Sequence, residues 1–271
     1  MTGERHVPRG IDVTRPNVAR IYDYLLGGKD NFAADRQAAM QLVAAIPDVG
    51  AIARDGRSFL SRVVRYLVTE AGVRQFIDLG GGLPTRDNVH ELVQALAPDA
   101  RVAYVDNDPV VALHGQALLA SEGRVSMVLA DLREPAAVWD HPGVCSLLDL
   151  SRPIAVLCTS TLHFVSDAEE PHRIMADHRD RMEPGSYLVL THANIVPPEE
   201  DPDGDVSSAT GVYSRASAQL HARTLTEIER FFDGFELIDP GLVWIPEWRP
   251  DPGVPPLGRV KSLRAGVGRK P

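Results

Sequence analysis

The sequence predicts an open, doubly wound α/β sheet, mostly parallel and preceded by a helical extension, on three observations. Five short, nearly continuous apolar runs follow residue 72, the texture of parallel strands covered on both faces. Helix-period stretches separate them, so strand and helix alternate. A glycine-rich turn stands directly behind the first run, where sheets of this kind meet a ligand.

The first 72 residues carry helical periodicity and no strand signal. Thr14 and Pro16 precede V-A-R-I-Y-D-Y-L-L, which sets Val18, Ile21, Tyr22 and Leu25 near one face, and Gly27-Gly28 stops it. A second helix spans Ala33–Ala45 and ends at Pro47. A third covers 48–70, with Phe59, Val63, Tyr66 and Leu67 on its apolar side. The strands follow as R-Q-F-I-D-L, R-V-A-Y-V-D, R-V-S-M-V-L-A-D, P-I-A-V-L-C and S-Y-L-V-L-T-H. Helices between them are expected over 88–96, 109–121, 135–150 with Pro142 as a breaking point, and 167–182. An acidic, proline-rich loop (197–205) then leads to two more helices, the second opened by Thr224 and Glu227 at capping-box spacing. F-E-L-I-D and G-R-V-K-S-L-R-A-G-V-G read as closing strands around a loop rich in Pro and Trp. The expected organisation is a helical extension or lid over 1–72 and a ligand-binding domain over 73–271, in one compact unit.

Composition narrows the function. With 271 residues, 44% of them hydrophobic, the chain can bury one large core. A formal charge of -9 argues against a surface that neutralises a nucleic-acid backbone. Cys145 and Cys158 are too few for a disulfide framework or a thiolate zinc cage, and no clustered acids and histidines suggest a metal. The start of the chain has no apolar leader, and no apolar run approaches the ~18 residues of a membrane span. The expectation is a soluble, cytoplasmic protein without membrane or nucleic-acid partners. Its oligomeric state is not legible.

The turn D-L-G-G-G-L-P-T (78–85) carries the chemistry. Glycine there lets a backbone approach a ligand and adopt positive φ, although such a loop can also make only a tight connection. Asp78, Asp106 and Asp131 stand at the ends of the first three strands, a pattern that packing explains poorly. A carboxylate in the position of Asp106 can accept from both hydroxyls of a ribose. A dinucleotide site wants G-x-G-x-x-G, and here the sixth position holds Thr85. Asp78 would sit badly beside a pyrophosphate but suits the ammonium group of an amino acid. S-adenosylmethionine carries that group and a ribose, and has no phosphate.

Four stretches are similar to a known family: P-N-V-A-R-I-Y-D-Y-L-L-G-G-K-D-N-F-A-A-D (16–35), Q-F-I-D-L-G-G-G-L-P-T (75–85), Y-V-D-N-D-P (104–109) and G-V-G-R-K-P (266–271). They resemble the actinobacterial S-adenosylmethionine-dependent methyltransferases once catalogued as a domain of unknown function. The resemblance implies a Rossmann-like sheet of the class I methyltransferase type, a helical extension before it, S-adenosyl-L-methionine as cofactor, and an undefined acceptor. That family more often carries threonine at the position of Gly81.

The candidate cofactor-binding residues are Arg20, Tyr22, Asp78, Gly80, Gly81, Gly82, Asp106, Asn107, Asp131, Leu132 and Thr159. Asp78 is assigned to the methionine end, or to ordering the turn. Asp106 and Asn107 are assigned to the ribose. Asp106 competes with Asp108 for capping the next helix, and Asp108 is better placed for that. Asp131 and Leu132 are assigned to adenine, against a simple surface turn. Thr159 and His163 follow the fourth strand, where such enzymes bring sulfonium and acceptor together. His163 is a candidate general base, or a histidine bonded to a helix end. Tyr22 and Tyr24 are about 200° apart on a helix, so only one can face the sulfonium, while Arg20 is set against the cofactor's carboxylate. Cys158 reads as an inert buried thiol. The leading function is methyl transfer to a small-molecule acceptor. The alternatives are a cofactor-binding protein without catalysis and a nicotinamide-dependent oxidoreductase.

Overall fold

The computed structural model of the chain describes residues 12–84, 88–119, 123–197, 205–255 and 261–271. Thr85 and nearly all of the acidic loop 197–205 lie outside the described residues. Helices α1 (Val18–Leu25), α2 (Ala33–Ala45) and α3 (Val49–Thr69) come first. Asn17 starts α1: its side-chain oxygen accepts from the Ala19 and Arg20 amides at 2.9 and 3.2 Å. The G-G-K-D-N turn after α1 is closed by Asp23 of that helix. Gly27 has φ +79°, and a Cβ on Gly28 would lie 1.9 Å from Asp23 Oδ1. Asp23 in turn accepts from the Asp30 amide and the Asn31 side chain at 2.9 and 2.8 Å.

The alternating region supplies β1 (Gln75–Leu79), α4 (Val89–Leu96), β2 (Arg101–Asp106), α5 (Pro109–Leu119), β3 (Val125–Leu129), α6 (Pro135–Trp139), α7 (Pro142–Cys145), β4 (Ala155–Cys158), α8 (Pro171–Asp180) and β5 (Tyr187–Ala193). After it come α9 (Asp205–Tyr213), α10 (Leu225–Glu229), β6 (Glu236–Leu237), β7 (Val243–Trp244) and β8 (Leu263–Arg269). The strand order is β3-β2-β1-β4-β5-β8-β6, with β7 also paired to β8. Strands β1 to β5 are parallel and β8 runs antiparallel to β5. The order reverses between β1 and β4, so a crevice opens at their carboxyl ends.

The break expected at Pro142 is present: the stretch 135–150 forms two short helices, because Pro142 cannot donate into a continuing helix. Two expectations need correction. The stretch 167–182 begins as one 3₁₀ turn, and Glu170 at φ +55° redirects the chain before Pro171 opens α8. The closing segment contains three strands, since Val243 and Trp244 pair with β8 beside the pairing of β6. The capping box at Thr224 is present: Thr224 Oγ1 accepts from the Glu227 amide, and the Glu227 carboxylate accepts from the Thr224 amide at 2.8 Å.

One face of the sheet packs Phe76 and Val102 against Phe59, Val63 and Leu67 of α3, with fully buried Trp248 meeting Phe59 edge-on at 5.6 Å. The other packs Ile77, Leu79 and Val156 against Trp139, Met175 and Phe231. Helices α1 and α2 form a third cluster with residues of and after α9, centred on Ile21, Leu42 and Ala216. Residues 12–72 are therefore divided. Helix α3 belongs to the sheet, while α1 and α2 lean over the strand ends, tied there by Asn17 Nδ2 donating to Asp108 Oδ2 at 2.6 Å. Among the described residues no helix is long and apolar enough to cross a membrane.

Candidate active site

A cavity of about 690 Å³ opens between the strand ends and the α1–α2–α9 layer. Its floor is the turn after β1. Gly80 has φ +74°, and a Cβ there would lie 2.3 Å from Thr161 Cγ2, so only glycine fits between β1 and the segment after β4. Gly81 lies under Tyr104: a Cβ would come within 2.8 Å of the ring, so a threonine there would displace it.

The turn's amides have protein partners. Gly80 donates to the Val105 carbonyl at 2.7 Å, Gly81 to the same oxygen at 3.4 Å, and Gly82 to Asp106 Oδ2 at 3.0 Å. A pyrophosphate cradle needs amides directed at the ligand. Here two carboxylates line the turn instead. Asp78 is buried, and burial pushes its pKa up to about 7, with nearby Asp106 adding to the rise and Arg57 opposing it. Burial likewise raises Asp106 to about 6, against the pull of the Asp108 and Gly82 amides. Asp108 caps α5 by accepting from the Val110 amide at 2.7 Å, which leaves Asp106 to the cavity and the glycine turn.

Asn107 donates to Asp131 Oδ2 at 3.0 Å, joining the ends of β2 and β3. Partial burial of Asp131 opposes its ionisation, but hydrogen bonds from Arg133 and Asn107 prevail and hold it at about 2. Arg133 also pairs with Glu169. Leu132 lines the cavity beside them, and its carbonyl accepts from His178 Nε2 at 2.8 Å.

Helix α1 presents Tyr22 to the cavity; Tyr24 packs into the α1–α2–α9 cluster. The Tyr22 hydroxyl donates to the Ala53 carbonyl at 3.2 Å. Arg20 also reaches the lining, yet its guanidinium is already engaged. It pairs with fully buried Asp35 at 3.0 Å and donates to the carbonyls of Asp12 and Arg15 at 3.2 and 3.0 Å. Asp35 accepts as well from the Asn17 and Phe32 amides, so this group locks the start of α1 to α2. Arg20→Met should destabilise the fold by roughly 3–5 kcal/mol, as removal of one partner from a buried pair does, readable as a lower urea midpoint.

The cation on the Asp78 side is Arg57 of α3, which the sequence reading missed. A signal existed: Ala53, Gly56, Arg57 and Leu60 recur at helical spacing, and all four line the cavity. Thr159 lines it too, and its carbonyl accepts from Thr161 Oγ1 at 3.0 Å. Ser160 between them is held at φ +55°, its amide donating to Thr191 Oγ1 at 2.8 Å.

His163 borders the cavity but is buried. Its Nδ1 accepts from the Ala193 amide at 3.4 Å, and its ring packs on Phe164 at 4.6 Å. Burial first, then neighbouring His192 and Arg223, hold its pKa well below the usual range, so the imidazole is neutral at neutral pH. The alternative expected for it is a bond to a helix end; its main-chain partner is instead the end of strand β5. Cys158 lies under the same turn, and burial, reinforced by Asp78, pushes its thiol up to about 12. Iodoacetamide should therefore label exposed Cys145 in the native protein and reach Cys158 only after unfolding, as mass spectrometry would show.

The residues fit S-adenosylmethionine: an acid and a base together for an amino-acid end, a buried carboxylate for a ribose, and a turn whose amides are engaged elsewhere. The comparisons agree. The sequence profile of the family described as S-adenosyl methyltransferase matches residues 4–271. No curated protein matches the chain. A crystal structure of a protein assigned to the methyltransferases, from Thermobifida fusca YX, is 42% identical, with TM-score 0.89 over 97% of this chain and 98% of that one. A DUF574 family protein from Streptomyces avermitilis MA-4680 is 37% identical, with TM-score 0.88 over 96% and 99%. An O-methyltransferase family protein from Burkholderia thailandensis, 14% identical, shares the fold at TM-score 0.53 over 88% of this chain and 60% of that one. The chain belongs to the S-adenosyl methyltransferase family and is an S-adenosylmethionine-dependent enzyme.

Proposed function

We propose that the enzyme methylates a small molecule, with its strand ends dividing the cofactor among them. Asp106 accepts from the ribose hydroxyls, with Asn107 alongside. Asp78 takes the ammonium group and Arg57 the carboxylate. Leu132 and the Asn107–Asp131–Arg133 group border the adenine. Tyr22 covers the site from α1, where an aromatic face near a sulfonium contributes roughly 0.5–2 kcal/mol. When bound, S-adenosylmethionine would supply an electrophilic methyl group, and Asp106, Asp78, Arg57 and Tyr22 would hold it for the acceptor. The chain's share is alignment and exclusion of water, toward which α1 and α9 line the cavity across from the strand ends.

The observation that carries this reading is the engagement of the Gly80, Gly81 and Gly82 amides by Val105 and Asp106, beside two buried carboxylates. It disfavours a nicotinamide dinucleotide, whose pyrophosphate needs those amides. Incubation with methyl-labelled S-adenosylmethionine and separate pools of small metabolites, protein and RNA tests it. Label is expected in the small-molecule pool. Label confined to protein or RNA would contradict the proposal.

A further inference from the structure

The cavity is larger than the cofactor assignment uses, and its two ends differ in charge. Its lining runs from the end of β3 to the start of β8, five interstrand steps, or about 24 Å at ~4.8 Å per step. The groups assigned to the cofactor, from Asp131 through Asp106 and Asp78 to Thr159, cover the ends of β3, β2, β1 and β4. That is three steps, about 14 Å. About 10 Å remains over β5 and β8.

Chemistry changes along this axis. The ends of β1 to β3 contribute Asp78, Asp106, Asp108, Asp131 and Arg133. Among the described residues, the lining from β5, β8, α9 and the α2–α3 junction contains no Asp, Glu, Lys or Arg. The apolar lining there is Ile46, Val49 and Ile52 from the α2–α3 junction, with Ala193 and Leu263 from β5 and β8. Phe164 and Tyr213 stand edge to face at 5.2 Å along one wall. The polar groups there are neutral: Thr191, the Tyr213 phenol, whose pKa burial raises, and the uncharged His163 imidazole. Asp12, Arg15 and Arg20 also reach the cavity; Arg20 is held by Asp35, and the Arg15 guanidinium is spent on the Ala216 carbonyl just beyond α9, at 3.2 and 2.7 Å. Arg223 acts on His163 from beside β5 but is buried and paired with Asp167, so an ion placed over β5 would lose its hydration and meet no charged group of the described lining there, a cost of several kcal/mol. A neutral ring loses little and gains an aromatic wall.

We propose that the β5–β8 half of the cavity is the acceptor subsite and takes a neutral aromatic molecule of one or two fused rings bearing a hydroxyl. The apolar lining holds the ring, and Thr191 and His163 hydrogen-bond the hydroxyl. This rests on the cofactor reading above.

The test uses the full chain saturated with S-adenosylhomocysteine, and two probes sharing one ring system, 2-naphthol and 2-naphthoate, measured by calorimetry. Naphthol is expected to bind at least tenfold more tightly than naphthoate. Ile52→Glu and Leu263→Glu are each expected to weaken naphthol at least tenfold while leaving S-adenosylhomocysteine affinity within twofold, which also certifies that each variant is folded. Equal or tighter binding of naphthoate overturns the proposal, as does naphthol binding indifferent to both substitutions. Failure of S-adenosylhomocysteine to bind the unsubstituted chain would instead overturn the cofactor reading.

Discussion

Asp106→Ala is expected to weaken S-adenosylhomocysteine binding about 10- to 150-fold, the equivalent of roughly 1.5–3 kcal/mol for lost charge-assisted hydrogen bonds to both ribose hydroxyls. The structure adds a second reason for a large effect. The same carboxylate accepts from the Gly82 and Asp108 amides at 3.0 and 2.9 Å, so its loss also loosens the glycine turn. Asp106→Asn separates the two contributions. An amide side chain has one acceptor oxygen, so it can keep one backbone contact but not both charged contacts with the ribose. The expected order of affinity is wild type, then asparagine, then alanine. Unchanged affinity in a folded alanine variant would remove Asp106 from the site.

Cofactor affinity and the stability of the free protein should move in opposite directions as pH rises from 5 to 7. Asp78 titrates at about 7 in the folded chain, because burial disfavours its charge. In the unfolded chain a carboxyl titrates near 3.9. A group with a raised folded pKa favours the native state at low pH, and that contribution is lost as pH rises through the folded value. An Asp78→Asn variant should therefore gain stability relative to wild type between pH 5 and pH 7, as paired urea titrations would report. Binding responds with the reverse sign, because the ligand's ammonium group prefers the ionised carboxylate. Affinity of the wild type for S-adenosylhomocysteine should climb by up to about tenfold per pH unit, the limit for one proton released. In Asp78→Asn this slope should flatten, leaving the weaker contribution of Asp106 at about 6. A wild-type affinity flat across this window would show that Asp78 does not face the ligand's charge.

Much of the fold was legible because its signals are local and repeated. Each of β1 to β5 is an apolar run between turn residues, and the alternation with helices admits few topologies. The glycine turn and the acids Asp78 and Asp106 were equally readable, since a strand end followed by glycines has a narrow range of uses. What sequence could not assign was partnership at a distance. Arg20 and Arg57 are both arginines on helices ahead of the sheet, and only the fold shows that one is held by Asp35 while the other stands by Asp78. The G-G-K-D-N turn was distinctive yet silent about its purpose, which is the closure of Asp23 on Gly28, Asp30 and Asn31. Tyr213 and Phe164 escaped notice for the same reason, as they meet across some fifty residues of chain. The breaks at Pro142 and Glu170 follow local rules, but periodicity carries through them.

The account stands on where the nucleoside and the amino-acid end lie relative to the ends of β1 and β2. A crystal structure of the complex with S-adenosylhomocysteine measures this directly. The predicted density has both ribose hydroxyls within hydrogen-bond distance of Asp106, the ammonium group toward Asp78, the carboxylate toward Arg57, and open space over β5. Density with the ligand reversed, or with the ribose away from Asp106, would contradict it.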